Sequence, residues 1–303
     1  MTLLNVLISL HKGYGLGDSV QMSAVLRHVV KAHPDWTIDY RAEEGKHQAG
    51  RDIVANTFAY GDPYLCPHYD LEYQILLYDT WYGWHDRPNT RVSSCLHERF
   101  SLPWNPECAR YKVNVSEKAL RSVRVLLKEK KCVAIHYEGD SSPTKKNLTH
   151  EQADAICNEI SRLGYTPLIL DWRQRSPLHH RKLWAPAAWG GNAEMVCAVI
   201  RQCRAFVGID SGPAKCASAT DVPSLVVWTG HHPAPFHDPA PNTAHLVPTG
   251  YHDLPPVNCD LRVVQWFEAN YNIRQYRPVL HDLYFYFDNP VEEIKSWLRE
   301  VLK

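Results

Sequence analysis

A glycine-rich turn with a carboxylate at its end follows the first apolar run of the chain. Residues 3–10 read LLNVLISL, and GYGLGDSVQ (13–21) then places Gly15 and Gly17 just before Asp18. Glycine permits positive φ and close approach of another backbone. The amides that open the following helix can face an anion or an acceptor group. The alternative interpretation is a tight turn between a strand and a helix, capped by Asp18.

A second turn of this kind lies in the other half of the chain, within AFVGIDSGPAKCASATDVPSLVVWTG (205–230). An apolar strand leads into small residues, a proline follows at the first helical position, and a lysine comes next on the helix. Amides at the start of a helix, with a lysine beside them, can hold a diphosphate. Alternatively, Asp210 is an N-cap and Lys215 is a solvated side chain. The residues that would bind the diphosphate are Ser211 and Gly212, through their amides, and Lys215.

Alternating strands and helices must position both turns. After Asp18, apolar residues recur with helical spacing, and the short strand TIDY (37–40) then completes a βαβ unit. The second half repeats this pattern from CVAIHY (132–137), through a helix with capping-box spacing at 149–164, to PSLVVW (223–228). We predict an α/β fold of two Rossmann-like, doubly wound domains that face a cleft.

Length, charge and cysteine content narrow the class of protein. The 303 residues suit two domains, predicted at 1–128 and 129–288, with a last helix at 289–303 that packs back on the N-terminal domain. Lys plus Arg equal Asp plus Glu, 33 against 33, so the chain has no net positive charge that would attract nucleic acid. Nine cysteines without a C-x-x-C pair indicate reduced thiols. Since neither a signal peptide nor a transmembrane segment is predicted, we expect a cytoplasmic protein.

Other candidate sites are weaker. The pattern G-x-G-x-x-G is absent, so the sequence does not predict a nicotinamide site. Two groups of histidines match no recognised metal-ligand spacing, so we predict no metal. These groups are the histidines at 231, 232 and 237 with Asp238, and the pair at 179 and 180. Three aromatic residues could instead form a floor on which an acceptor sugar stacks, with core packing as the alternative. These residues are Trp81, Tyr82 and Trp84.

Both turns resemble motifs of one known family, the heptosyltransferases of glycosyltransferase family 9. GLGDSVQMSAVLRHVVKAHPDWTIDY (15–40) resembles the opening of the family, and CRAFVGIDSGPAKCASATDVPSLVVWTG (203–230) resembles its donor-site signature, D-[TS]-G-x-x-H before an alanine-rich helix. The resemblance implies the GT-B fold, an ADP-activated heptose as donor, no cofactor, and direct displacement with inversion at the anomeric carbon.

The resemblance also implies roles for individual residues. Asp18 matches the acidic residue proposed as general base, and Asp171 sits where an acidic residue contacts the nucleoside ribose. A conserved lysine falls at Lys145 or Lys146, which the sequence does not distinguish. The histidine of the signature is Lys215 here, which keeps a positive charge near the diphosphate. The residues expected to contact the donor are Gly15, Gly17, Ser141, Ser142, Thr144, Lys145, Lys146, Asp171, Asp210, Ser211, Gly212, Pro213 and Lys215.

The sequence therefore predicts an inverting, metal-independent glycosyltransferase that binds its nucleotide-sugar donor in the C-terminal domain. The acceptor, bound in the N-terminal domain, is a glycan, a lipid-linked glycan or a protein. A carboxylate such as Asp18 that takes the proton of the acceptor hydroxyl would contribute about 10²- to 10⁴-fold to the rate. Two alternatives remain open: a related nucleotide-sugar epimerase, which needs no acceptor, and a non-catalytic binder of nucleotide sugars, which the change to Lys215 suggests.

Overall fold

The structure is a computed structural model, and it describes most of the chain. Within the described residues, two parallel sheets and the helices around them account for the α/β architecture that the sequence predicts. The described residues are 3–66, 68–77, 90–140, 146–174, 176–178, 183–229, 233–238, 240–248, 272–276, 278–281, 284–287 and 290–303.

The first sheet contains four parallel strands in the order β3-β2-β1-β4. The apolar run of β1 lies at its centre and is buried toward its end, because α1 crosses from β1 to β2 and covers the sheet. Strand order reverses between β1 and β4, and ligands of doubly wound sheets bind at such switch points. The elements are β1 (Leu4–Leu10), α1 (Leu16–Ala32), β2 (Trp36–Ala42), β3 (Asn56–Ala59) and β4 (Leu71–Ile75).

Three helices lead from the first sheet to the second. The threonine at 90 caps the first of them: its side chain accepts a hydrogen bond from the Ser93 amide, and the Ser93 hydroxyl accepts one from the Thr90 amide. The side chains of Asn105 and Ser116 each accept one backbone hydrogen bond at the start of the next two helices. These helices are α2 (Arg91–Phe100), α3 (Pro106–Ala109) and α4 (Glu117–Leu127).

The second sheet contains seven parallel strands in the order β11-β10-β9-β8-β5-β6-β7, with the order reversing between β5 and β8. The predicted capping box at Thr149 and Gln152 is confirmed, and Gly164 adopts φ +83° just after that helix. The elements are β5 (Cys132–His136), α5 (His150–Arg162), β6 (Thr166–Ile169), β7 (Leu183–Trp184), α6 (Ala193–Arg201), β8 (Ala205–Ile209), α7 (Gly212–Ser218), β9 (Ser224–Val227), α8 (Pro233–Phe236), β10 (Thr243–Pro248) and β11 (Asn272–Tyr276).

Two short 3-10 turns, an antiparallel hairpin and a last helix complete the described elements. None of the described helices combines the length and the apolar character that crossing a membrane requires. The turns are His47–Gly50 and Ala187–Trp189, the hairpin is β12 (Pro278–His281) with β13 (Tyr284–Phe287), and the helix is α9 (Val291–Val301).

One apolar core runs through both halves of the molecule. Side chains of α1 from the first half and of α6 and α7 from the second belong to the same buried cluster. α1 lies directly against α7, so the two predicted halves are in contact rather than separated along their whole length. A second cluster fills the opposite face of the seven-stranded sheet, between α5 and α9.

The position of the last helix differs from the expectation. Among the described residues, α9 packs against α5 and the seven-stranded sheet of the C-terminal half rather than on the N-terminal half. Its buried residues include Ile294 and Trp297, and Arg299 Nε lies 2.7 Å from a carboxylate oxygen of Glu159 on α5. The apolar face of the helix was visible in the sequence, but the partner of that face depends on where the second sheet leaves a surface uncovered.

Candidate active site

Asp18 lies in the first turn of α1, where both of its carboxylate oxygens have partners. Oδ2 accepts a hydrogen bond of 2.9 Å from the amide of Gly15, the N-cap residue, and Oδ1 accepts one of 2.9 Å from Nη1 of Arg91. The capped turn that the sequence offered as an alternative is therefore present. Capping leaves the carboxylate able to accept further hydrogen bonds, since it offers about four lone-pair positions.

The glycines of this turn have two different structural roles. Positive φ is adopted by Gly13, at +88°, and not by Gly15 or Gly17. At Gly17 the need is for close approach, because an added Cβ would lie 3.3 Å from Cα of Gly212 in the other half. An added Cβ at Gly212 would lie 2.8 Å from Cβ of Leu16. The two predicted ligand-binding turns thus touch each other, as a site shared by both halves requires.

Arg91, which sequence reasoning missed, is the direct partner of Asp18. Both side chains are almost fully buried, at 7% and 9% exposure. The guanidinium carbon also lies 4.4 Å from the ring centroid of Phe236, which belongs to α8 of the other half. A separation of 73 residues from Asp18 left no local sequence signal for the pair.

Two lysines surround Asp210 at the end of β8. Nζ of Lys146 lies 2.9 Å from Oδ2 of Asp210, and Nζ of Lys215 lies 3.7 Å from Oδ1. All three side chains are buried or nearly so. Ser211, not Asp210, occupies the N-cap position of α7, so the alternative role of Asp210 as a cap is wrong.

Lys215 is not a solvated side chain: it is 5% exposed, and its Nζ lies 5.7 Å from the ring centroid of Trp228. The pKa of Lys215 is lowered to about 8, chiefly because burial penalises the ammonium form. Nearby carboxylates, Asp210 foremost, oppose this shift, while nearby cations add to it. A buried lysine between carboxylates and cations is typical of a functional site.

The remaining donor-site predictions have mixed outcomes. Of the two candidate lysines, Lys146 is placed beside Asp210, while Lys145 lies outside the described residues, as do Ser141, Ser142 and Thr144. Pro213 is buried at the start of α7. Ser211 Oγ lies 3.0 Å from Nδ1 of His136, at the end of β5. His136 was missed because a histidine at the end of a strand carries no motif.

Asp171 caps its own loop after β6. Its two oxygens accept hydrogen bonds from the backbone amides of Arg173, at 3.1 Å, and Ser176, at 2.8 Å. The side chain is buried. A ribose hydroxyl would have to share these oxygens, and the ribose contact stays a prediction.

The segment that includes α8 ties the two halves together beside the site. Asp238 is fully buried, and its carboxylate accepts hydrogen bonds from Thr90 at 2.8 Å, Tyr111 at 3.1 Å and Trp104 at 3.3 Å, all from the first half. Burial raises the pKa of Asp238 to about 6, although these hydrogen bonds favour the ionised form. His237 bonds elsewhere, 3.0 Å from Ser218 Oγ.

These contacts give the histidine-rich loop a structural role. The carboxylate of Asp238 and the imidazole of His237 bond different partners, and the histidines at 231, 232, 179 and 180 lie outside the described residues. No group of three His, Cys, Asp or Glu side chains within the described part of the chain could hold a metal ion. Independence from metal stays a prediction.

The predicted aromatic floor, Trp81, Tyr82 and Trp84, lies outside the described residues. Another aromatic and cationic surface lies at the carboxyl edge of the first sheet. The guanidinium of Arg41 sits 4.8 Å from the ring centroids of both Tyr60 and Tyr64, and Nζ of Lys12 lies 4.9 Å from that of Tyr60. Tyr64 is 56% exposed. Neither cation forms an ion pair with a carboxylate in the described part of the chain.

Buried charges of both signs meet where the two turns touch. Arg91 pairs with Asp18, Lys146 and Lys215 lie beside Asp210, and the buried Asp238 carboxylate also interacts with Lys215. A buried cation has little access to water, so it attracts an anion more strongly than an exposed cation does.

Comparison with known proteins places this arrangement in a known fold. No protein-family model matches the sequence, and no curated protein matches it. Among solved structures, a family 9 glycosyl transferase from Veillonella parvula matches 100% of this chain and 98% of its own, with a TM-score of 0.69 at 12% identity. ADP-heptose LPS heptosyltransferase II of E. coli matches 99% of this chain and 98% of its own, with a TM-score of 0.66 at 12% identity.

A third similar structure contains an ADP-linked sugar. The E. coli heptosyltransferase WaaC with ADP-2-deoxy-2-fluoro heptose matches 88% of this chain and 99% of its own, with a TM-score of 0.53 at 13% identity. The predicted GT-B fold is thus confirmed. The chain has the GT-B fold of the glycosyltransferase family 9 structures.

Proposed function

We propose that the protein is an inverting glycosyltransferase that moves a sugar from a nucleoside-diphosphate sugar to an acceptor hydroxyl. The observation that carries the proposal is the buried meeting of the two turns. One presents a carboxylate, Asp18, and the other presents Lys146 and Lys215 around Asp210. A base and a leaving-group stabiliser on opposite walls are the two parts that glycosyl transfer to a hydroxyl needs.

Sugar transfer proceeds as a single displacement at the anomeric carbon, with the two turns acting on opposite sides of it. Asp18 takes the proton of the acceptor hydroxyl as that oxygen bonds to the anomeric carbon from the face opposite the leaving group. The bond from the anomeric carbon to the diphosphate oxygen breaks, and the electron pair leaves with the diphosphate. Lys215 and Lys146 lie where they can neutralise that developing charge. Inversion follows because attack and departure occur on opposite faces.

The donor is proposed to be an ADP-linked heptose or a related sugar. Similar folds bind such donors, as in WaaC with ADP-2-deoxy-2-fluoro heptose. Asp171, Ser142, Thr144 and Lys145 remain predicted donor contacts. Because Gly17 and Gly212 touch, the donor is proposed to bind beside this contact and not between the two glycines.

The acceptor is proposed to bind against the first sheet. Exposed aromatic rings such as Tyr64 can stack on the apolar faces of a sugar, and Arg41 and Lys12 can bind its polar or anionic groups. Trp81, Tyr82 and Trp84 stay predicted members of this surface. A glycan, a lipid-linked glycan or a protein could carry the acceptor hydroxyl.

One observation favours a second candidate function, a non-catalytic nucleotide-sugar binder. Both oxygens of Asp18 are already engaged, by Gly15 and Arg91, and a lysine stands where the family signature has histidine. Consumption of the donor separates the two functions, since a binder leaves the donor intact. Release of a rearranged sugar without any acceptor would instead indicate the epimerase-like alternative.

The test begins with thermal unfolding in the presence of ADP, GDP, UDP and CDP and their sugars. A ligand at 100 times its Kd adds about 2.7 kcal/mol of stability, which is a readily measured shift. The active donor is then incubated with an acceptor panel, and the anomeric configuration of the product is read by NMR. No shift with any of these compounds would contradict the donor site, and retained configuration would contradict the mechanism.

A further inference from the structure

Arg91 occupies a position that helix stability does not favour. It is the first residue of α2, and the start of a helix carries a partial positive charge that favours acidic side chains over basic ones. Burying an ion pair also costs desolvation energy that its attraction often fails to recover. A buried arginine at this point therefore calls for an explanation other than folding.

The hydrogen bonds of Asp18 suggest what Arg91 contributes. The amide of Gly15 holds Oδ2 and Nη1 of Arg91 holds Oδ1, each at 2.9 Å, so the carboxylate is anchored at both ends. Two anchors fix the plane of the carboxylate, and each oxygen keeps a second lone pair for a hydroxyl proton. Without Arg91, Oδ1 would lose the contact that sets its direction.

Arg91 is in turn held by the other half of the molecule. Its guanidinium lies over the ring of Phe236 at 4.4 Å, and the preceding residue, Thr90, donates a hydrogen bond of 2.8 Å to Asp238. Gln21, one turn after Asp18, donates to the carbonyl of Phe236 at 3.1 Å. The segment from 233 to 238 thus contacts both elements that carry the ion pair.

We propose that Arg91 is the positioning residue of the Asp18 carboxylate, and that docking of the segment 233–238 of the C-terminal half sets Arg91 in place. Asp18 is then oriented only when this segment joins the two halves, so proton transfer from the acceptor hydroxyl requires the segment to be docked. This inference rests on the proposed role of Asp18 as general base, and it adds a residue and a dependence on docking that the role itself does not require.

A double-mutant cycle on turnover tests the inference. Arg91→Met removes the charge and keeps a long side chain, and we expect kcat to fall about 10- to 100-fold, as misplacement of a catalytic group does. KM for the donor should change less than about twofold, because Arg91 acts on the base. In the Asp18→Asn background, Arg91→Met should change kcat by less than about threefold, since the group it positions is absent.

Three further variants separate positioning from folding. Arg91→Lys keeps the charge and should recover most of kcat, whereas Arg99→Met, an exposed arginine of the same helix, should leave kcat unchanged. Phe236→Ala should reproduce part of the Arg91→Met loss, again only when Asp18 is intact. The thermal shift induced by the donor should persist in every variant, which shows that each one folds.

The outcomes distinguish this inference from the proposed function. Equal losses from Arg91→Met with and without Asp18, or equal losses from Arg91→Met and Arg91→Lys, would overturn the inference while leaving the transferase intact. A normal kcat for Phe236→Ala would overturn the dependence on docking. Absence of sugar transfer by the unaltered protein with every donor and acceptor would overturn the proposed function, and the inference with it.

Discussion

The turn after β1 and the turn after β8 share a backbone pattern but differ in charge. Each joins a buried strand to a helix through glycines that allow close approach. The first holds one carboxylate matched by one arginine, Asp18 with Arg91, and is neutral as a pair. The second places two lysines, Lys146 and Lys215, beside Asp210. A proton acceptor suits the first turn, and an anionic leaving group suits the second.

The largest expected effect is that of replacing the carboxylate of the first turn. Asp18→Asn keeps the shape of the side chain but cannot take a proton, so we expect kcat to fall about 10²- to 10⁴-fold while donor binding is retained. Turnover with a fixed donor and acceptor measures the first quantity, and the donor-induced thermal shift measures the second. Asp221→Asn, which alters a surface carboxylate that is 95% exposed and pairs with Arg110, is the matched control. Near-normal turnover in Asp18→Asn would contradict the role of the first turn as the proton acceptor.

The contact of Asp238 with the first half should depend on pH. The pKa of Asp238 is about 6 in the folded protein, against an ordinary value of 3.8 for an aspartate in water, so the folded state binds the proton more tightly. Protonation of Asp238 therefore adds stability as pH falls from 7 to about 4, by up to about 3 kcal/mol. This contribution is lost as pH rises through 6.

The measurement is the difference in unfolding free energy between the protein and Asp238→Asn across that pH range. Taking the difference removes the effect of other carboxylates, such as Glu159, whose pKa is lowered to about 2 by its arginine partners. We expect the unfolding free energy of the unaltered protein, relative to that of Asp238→Asn, to increase as the pH falls. A constant difference from pH 4 to 7 would show that Asp238 titrates as an exposed carboxylate does.

Replacing the lysines of the second turn should weaken donor binding. Hydrogen bonds to charged groups contribute about 1.5–3 kcal/mol, so Lys215→Met should raise the Kd for the nucleoside diphosphate about 10- to 100-fold. Calorimetric titration measures the Kd, and Lys118→Met, an exposed lysine of α4, is the control. A Kd that changes equally in Lys215→Met and Lys118→Met would mean that Lys215 does not contact the donor.

The smallest expected effects test the contact between the turns. An added methyl group at Gly212 would come within 3.0 Å of the Gly17 amide, so Gly212→Ala should cost about 1–2 kcal/mol of unfolding free energy through overpacking. Gly17→Ala should cost less, since its nearest contact is 3.3 Å. Gly139→Ala, with 3.5 Å available, is the control for denaturant unfolding. Equal values for all three variants would contradict the close approach.

The local sequence pattern was sufficient to predict the secondary-structure elements and the two turns. The apolar run of β1, the helical spacing of α1 and the capping residues at Thr149 and Gln152 depend on neighbours in sequence, and the structure has them as predicted. The signature around Asp210 likewise named the correct strand end. What these features share is that their physical cause lies within a few residues.

Features set by distant contacts could not be predicted. Arg91 and Asp238 take their roles from partners in other elements, and the partner of α9 depends on which sheet face is left open. The alternative of a solvated Lys215 followed from the rule that lysine is seldom buried, and only the fold shows the carboxylate and the Trp228 ring beside it. Burial and long-range pairing are products of the tertiary structure.

The continuity of the apolar core across both halves has a thermodynamic consequence. Because α1, α6 and α7 contribute to one buried cluster, neither half can lose its packing without exposing apolar surface of the other. Heat should then melt the chain in a single calorimetric peak, with a van't Hoff enthalpy close to the measured one, instead of in two separate events.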